Sequence, residues 1–175
     1  EHDNIGAGFD HPFRLFDHHL GNLNVTLCRF IEGAANDFAV RTANFSLHVG
    51  PNGYAWWYVD GISDCGTRAL SVIGFIGSVF SPWYAWSGRK DPENNICINV
   101  ATYGPGGRFT MTDRGRSALR QSPRRFTVGP SSMTWDRGTL VIDVNEVSGP
   151  PIVSRVRGQI RVTPSAITTV ELPLT

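Results

Sequence analysis

From about Asn44 onward the chain consists of short runs in which apolar and polar residues alternate, each closed by a turn signal. Alternation with period two places successive side chains on opposite faces of a strand. Tyr54 to Asp60 is one run and Arg68 to Phe75 the next, with Gly61 to Gly66 connecting them. Ile96 to Tyr103 ends at Gly104-Pro105-Gly106-Gly107, a strong turn signal, and Arg108 to Thr112 resumes as a strand. Arg125 to Val128, Ser132 to Trp135 and Thr139 to Val144 follow, the last two joined by Asp136-Arg137-Gly138 as a hairpin. Leu140, Ile142 and Val144 then point one way and Asp143 and Asn145 the other. Val156, Ile160 and Val162 oppose Arg155, Arg157 and Arg161 in the same manner, which describes an antiparallel strand with one wet face. Ile167 to Leu172 is the last run. Roughly seven or eight strands at this spacing predict an all-β domain, an antiparallel sandwich or barrel, over residues 44–175. The one helix expected in this region covers Arg114 to Gln121.

Residues 1–43 differ. They hold four of the five histidines and little periodicity, with a weak alternation from Asn24 to Ile31 and a short helix expected over Gly33 to Val40. This segment reads as an atypical, weakly structured extension. The chain opens on Glu and ends on a strand-like run entering a connection, so the natural protein is expected to be processed or to continue beyond Thr175.

At 175 residues the chain fits one domain better than two. A formal net charge of +1 gives no global pull towards nucleic acid or an acidic membrane. Cys28, Cys65 and Cys97 are an odd number with no close pair, so reduced thiols are expected and neither a disulfide framework nor a CxxC metal site. The longest apolar run, Ala69 to Phe80, is too short to span a bilayer as a helix.

Several patterns that can carry chemistry read more simply as structure. His11, His18 and His19 lack the spacing of a zinc site and read as polar loop residues. The crowded Arg108, Arg114, Arg116, Arg120, Arg124 and Arg125 read first as a solvated surface, with a peripheral membrane contact or phosphate binding as the functional options. No GxSxG elbow and no GxGxxG fingerprint occurs.

What remains is aromatic. Four of the five tryptophans fall in Gly53-Tyr54-Ala55-Trp56-Trp57-Tyr58-Val59-Asp60 and Ser81-Pro82-Trp83-Tyr84-Ala85-Trp86. Trp56, Tyr58 and Asp60 share one strand face, Trp57 and Val59 the other. Taken alone, the run reads first as the half-buried edge of a β core with Asp60 opening a turn. The functional reading puts a carboxylic acid beside electron-rich rings. Desolvation against indole keeps such an acid protonated, and a cation over a ring face gains about 0.5–2 kcal/mol. That chemistry suits protonation of an alkene followed by capture by water. Trp83, Tyr84 and Trp86 read either as an apolar mouth, as a membrane-interface anchor, or as a cap on the end of the β core.

These segments resemble the carotenoid 1,2-hydratases, or hydroxyneurosporene synthases, of phototrophic purple bacteria. So do Gly77-Ser78-Val79-Phe80-Ser81-Pro82-Trp83-Tyr84, Asn99-Val100-Ala101-Thr102-Tyr103-Gly104-Pro105, Met111-Thr112-Asp113-Arg114-Gly115-Arg116 and Ser154-Arg155-Val156-Arg157-Gly158. The resemblance runs from about Asn44 to Thr175. It implies a lipocalin-like β domain, the first of a tandem. It further implies hydration of the C1–C2 double bond of acyclic carotenoids such as neurosporene and lycopene, with no cofactor and no nucleic acid. Peripheral association with the cytoplasmic side of a bacterial membrane is expected. On this reading Asp60 is the candidate acid or water-positioning residue, and Trp56, Tyr58, Trp83, Tyr84 and Trp86 line the polyene. Residues 1–43 depart from the family's usual lead-in, as a different extension or a mistranslated stretch. The resemblance also implies a second β domain carrying further active-site residues, so this portion is expected to be inactive alone. The non-catalytic alternative is a lipocalin-like module that binds a lipid or isoprenoid.

Overall fold

The computed structural model describes residues 31–34, 44–149 and 153–164. Among them lie ten strands in two antiparallel sheets of sequential order. The first sheet holds β1 (Ile31–Ala34), β2 (Ala55–Ile62), β3 (Ala69–Ile76), β4 (Ile96–Tyr103) and β5 (Phe109–Thr110). The second holds β6 (Leu119–Ser122), β7 (Arg125–Val128), β8 (Ser131–Asp136), β9 (Thr139–Val147) and β10 (Arg155–Val162). The sheets pack face to face, so of the two architectures that the alternation allows, the sandwich is the one formed. The expected helix over Gly33 to Val40 begins instead on strand β1, and the remainder lies outside the described residues, as do Ile167 to Leu172 and His11, His18 and His19.

The core follows from the alternation. Ala55, Trp57 and Val59 of β2, Val72 and Ile76 of β3, and Ile98 and Val100 of β4 face Phe126, Val128, Met133, Leu140, Ile142, Val144 and Val156 of the second sheet. Trp57 packs tilted against Phe126 at 4.7 Å between ring centroids and edge-on against Phe45 at 5.3 Å. Gly74, the register partner of Trp57 on β3, makes this approach possible. A Cβ there would lie 2.9 Å from Phe126 Cε1 and 3.1 Å from Met133 Sδ.

One expectation fails. Arg114 to Gln121 is not a helix: it holds only a 3-10 turn at Arg116–Ala118 and then enters β6. Two of its three arginines, Arg114 and Arg116, are drawn away by partners elsewhere. Arg114 forms a bidentate pair with Glu146 of β9, with Nη2 at 2.7 Å from Oε2 and Nη1 at 3.1 Å from Oε1. Ser131 Oγ also donates to that buried carboxylate at 2.6 Å. Arg116 pairs with Asp91 and Glu93, and Arg120 donates to the carbonyls of Ser117 and Leu119. Leaving the buried Glu146 carboxylate without its guanidinium partner would cost about 3–5 kcal/mol, more than a turn of helix over this segment would return.

Candidate functional site

The outer face of the first sheet carries Trp56, Tyr58 and Asp60. Register brings its outward residues into rows: Trp56 beside Phe75 beside Cys97; Tyr58 beside Ile73 beside Asn99; Asp60 beside Ser71 beside Ala101. The alternation predicted for Trp56, Tyr58 and Asp60 therefore holds, and these three point away from the core while Trp57 and Val59 fill it.

Asp60 is half-buried and accepts a hydrogen bond of 2.5 Å from Ser71 Oγ. Tyr58 joins the pair. The Ser71 hydroxyl favours its phenolate, but burial and the neighbouring Asp60 carboxylate outweigh that effect and hold the phenol above its ordinary value. Phenol, carboxylate and hydroxyl thus form one polar group on an otherwise apolar face.

At the other end of the face the rings form a path. Tyr54 tilts against Trp56 at 5.3 Å, Trp56 meets Phe75 edge-on at 6.4 Å, and Phe75 meets Phe80 edge-on at 5.6 Å. The path ends in solvent, since Phe80 is 62% exposed.

The segment beyond Phe80 is shaped by its sequence. Gly77 has φ +67°, which turns the chain off β3, and a Cβ there would stand 2.6 Å from the Gly53 carbonyl oxygen. Ser81 then caps a short helix α1 (Pro82–Trp86), its Oγ accepting from Tyr84 N–H at 3.2 Å, with Pro82 in the first turn. One turn of helix divides the three aromatics. Tyr84 is buried and donates its hydroxyl to the Gly53 carbonyl at 2.6 Å. Trp83 and Trp86, three residues apart on the other side, are exposed and touch edge-on at 5.1 Å. Tyr84 pins the segment to the start of β2, and the two tryptophans remain open to a partner.

Sequence reasoning placed the desolvated acid at Asp60. In the structure it is Asp113 whose carboxyl burial raises above its ordinary value, with the Ser81 hydroxyl opposing. Beside it Cys97 is wholly buried and its thiol is pushed up to about 12, by desolvation first and then by the Asp113 charge. Asp113 stands amid arginines in the sequence, and no local pattern marks it as buried. Cys65 and Cys97 are both free thiols, and no cluster of His, Cys, Asp or Glu suited to a metal occurs among the described residues. No helix among them is long and apolar enough to cross a membrane.

The profile of the carotenoid hydratase CrtC family matches residues 72–175. This chain belongs to the CrtC carotenoid hydratase family. It is 68% identical over 103 residues to the acyclic carotenoid 1,2-hydratase of Cereibacter sphaeroides, covering 59% of this chain and 37% of that one. It is 53% identical over 138 residues to that of Thiocapsa roseopersicina, covering 77% and 34%. The Rhodobacter capsulatus hydratase is 59% identical over 104 residues, 59% of this chain and 37% of its own. The chain thus spans about a third of the length of these curated CrtC relatives. No solved structure matches it.

Proposed function

We propose that the natural protein containing this chain hydrates the terminal C1–C2 double bond of an acyclic carotenoid of the neurosporene or lycopene kind. Membership in the carotenoid hydratase family supports the reaction class. The observation that carries the reading into this chain is the ring path Tyr54–Trp56–Phe75–Phe80, which shares a sheet face with carboxyl groups.

A polyene has no polar handle along its length, so rings are what can hold it. Protonation at C2 leaves a tertiary cation at C1, and water adds there to give the tertiary alcohol. General acid catalysis typically supplies about 10²–10⁴ in rate. Asp60 is the candidate acid or water-positioning residue, with Trp56 and Tyr58 lining the polyene or shielding the cation. Trp83, Trp86 and Phe80 suit contact with a membrane surface, where amphipathic rings settle at headgroup level. Such contact, on the cytoplasmic side, gives access to a substrate dissolved in the bilayer.

The test is expression of the full natural chain in cells that make lycopene or neurosporene, with analysis for the 1-hydroxy product. Carotenoid that is bound but unchanged would favour a non-catalytic isoprenoid-binding module. In an active protein Asp60→Asn is expected to lower turnover. Unchanged turnover with intact folding would remove Asp60 from both roles.

A further inference from the structure

The geometry points to residues 79–90 as a surface that binds anionic phospholipid headgroups, with Trp83 and Trp86 entering the bilayer interface and Arg89 and Lys90 meeting the phosphates. The inference rests on the hydratase reading for the choice of a bilayer as partner. It adds which lipid is met and which cations meet it.

The lobe begins where Gly77 turns the chain off β3. Val79, Phe80, Trp83 and Trp86 are all exposed within eight consecutive residues, Trp86 at 74%. Single apolar residues scattered over a surface need no explanation, whereas a cluster marks a contact. The lobe is built before any partner arrives. The Trp83 carbonyl accepts Ser87 N–H at 2.9 Å, the Tyr84 carbonyl accepts Arg89 N–H at 3.0 Å, and the Arg89 carbonyl accepts Asn52 N–H at 2.8 Å. With the Tyr84 hydroxyl on Gly53, these bonds tie the lobe to the segment that leads into β2. Such preorganisation lowers the ordering cost of binding.

Arg89 supplies a second, independent observation. It follows Gly88, and both have left-handed backbone, at φ +54° and +69° respectively. Glycine takes that conformation freely and arginine does not. What arginine adds over glycine at this turn is a guanidinium. Lys90 follows it, and both side chains are exposed. Neither enters an ion pair among the described residues. The carboxylates that come next, Asp91 and Glu93, are taken by Arg116. Two cations therefore stand unneutralised just beyond the exposed tryptophans.

Composition selects the partner. Lysine is depleted at protein–protein interfaces. Tryptophan flanked by arginine and lysine suits the boundary of water and lipid, with rings at headgroup level and cations on the phosphates. A net charge of +1 gives the whole chain little pull towards an anionic surface. The attraction is therefore local, and screening confines it to about 8 Å at physiological salt. Arg120 and Arg125 of the second sheet are exposed as well, but none of the exposed large apolar residues of that sheet is aromatic.

The experiment uses the full natural chain with vesicles of phosphatidylcholine alone or mixed with phosphatidylglycerol. It measures co-sedimentation, and quenching of tryptophan fluorescence by brominated acyl chains, with folding followed by circular dichroism. Binding is expected to be at least about tenfold tighter to the phosphatidylglycerol vesicles, and to weaken as salt rises from about 0.1 M to about 1 M. Arg89→Gln with Lys90→Gln should remove most of that preference. Trp83→Ser with Trp86→Ser should weaken binding to both vesicles by about tenfold or more and abolish the quenching. Arg120→Gln with Arg125→Gln should bind within a few-fold of wild type.

Equal binding to the two vesicles, or an equal loss in the Arg120 and Arg125 variant, overturns the assignment. So do unquenched tryptophans, which would mean that the rest of the natural protein covers the lobe. A dimer that the Trp83 and Trp86 changes dissociate would give the surface to a second copy and overturn it too. If the tryptophan variant does not fold, the Arg89 and Lys90 variant decides. Product formed from detergent-dispersed lycopene judges the hydratase reading separately. Product without vesicle binding overturns the lobe assignment alone, and vesicle binding without product overturns the hydratase reading alone.

Discussion

Trp56 and Trp57 are neighbours in sequence and belong to opposite regions of the molecule. Trp57 is wholly buried between Phe45 and Phe126, at the centre of the sandwich. Trp56 is half-buried on the outer face, between Tyr54 and Phe75. The contrast extends along the whole first sheet. Its inner face is Val59, Val72, Ile98 and Val100, all at 2% exposure or less, with Gly74 letting the second sheet close in. Its outer face mixes rings with Asp60, Ser71, Asn99 and Asp113. A single set of strands thus builds a stabilising core and a chemically equipped surface, because the pleat separates odd from even positions. Polar groups on the outer face do not have to be paid for inside the core.

The largest effect that would break this comparison is at the tryptophans. Trp57→Ala is expected to lose about 3–5 kcal/mol of stability, and Trp56→Ala about 1 kcal/mol. Urea unfolding midpoints check both, and equal losses would refute the division of faces. Next is the spacing between the sheets. Gly74→Ala forces the Phe126 ring and the Met133 thioether to shift, and should cost about 1–3 kcal/mol, as overpacking does. A neutral outcome in the same assay would mean that the sheets are less closely packed at this point.

The smallest effect concerns the outer face and its pH dependence. The folded-state pKa of Asp113 lies above its ordinary value of 3.8. Between those two values the native state keeps a proton that the unfolded chain has released. Wild-type stability therefore falls as pH rises from the unfolded value through the folded one. Asp113→Asn removes that fall, so its stability relative to wild type should be greater at pH 7 than at pH 4 in thermal melts. A difference independent of pH would show that Asp113 is not desolvated.

Much of the fold was legible in the residues. β4 and β7 have the bounds that the alternation and turn signals predict, and β2, β3, β8, β9 and β10 lie within a few residues of theirs. The inward set Leu140, Ile142 and Val144 is buried as expected. The helix expected over Arg114 to Gln121 was lost to long-range pairing with Glu146, Asp91 and Glu93, which no local pattern encodes. The candidate site was legible in part. Trp56, Tyr58 and Asp60 share a face because period two requires it. Tyr84, read together with Trp83 and Trp86, parts from them because one turn of helix sends it to Gly53.

The sequence by itself determined the class of the fold, the faces of each strand and the membership of the family, since all three are written in local spacing and in residue identity. Only the tertiary structure decided that the sheets form a sandwich with the Asp60 face outward. It alone set Asp113 beside Cys97, with the Ser81 hydroxyl near its carboxyl and Oδ1 buried without a partner. The physical reason is that burial belongs to the whole assembly: a carboxyl is desolvated by segments far from it in sequence, and its own neighbours in the chain give no sign of it.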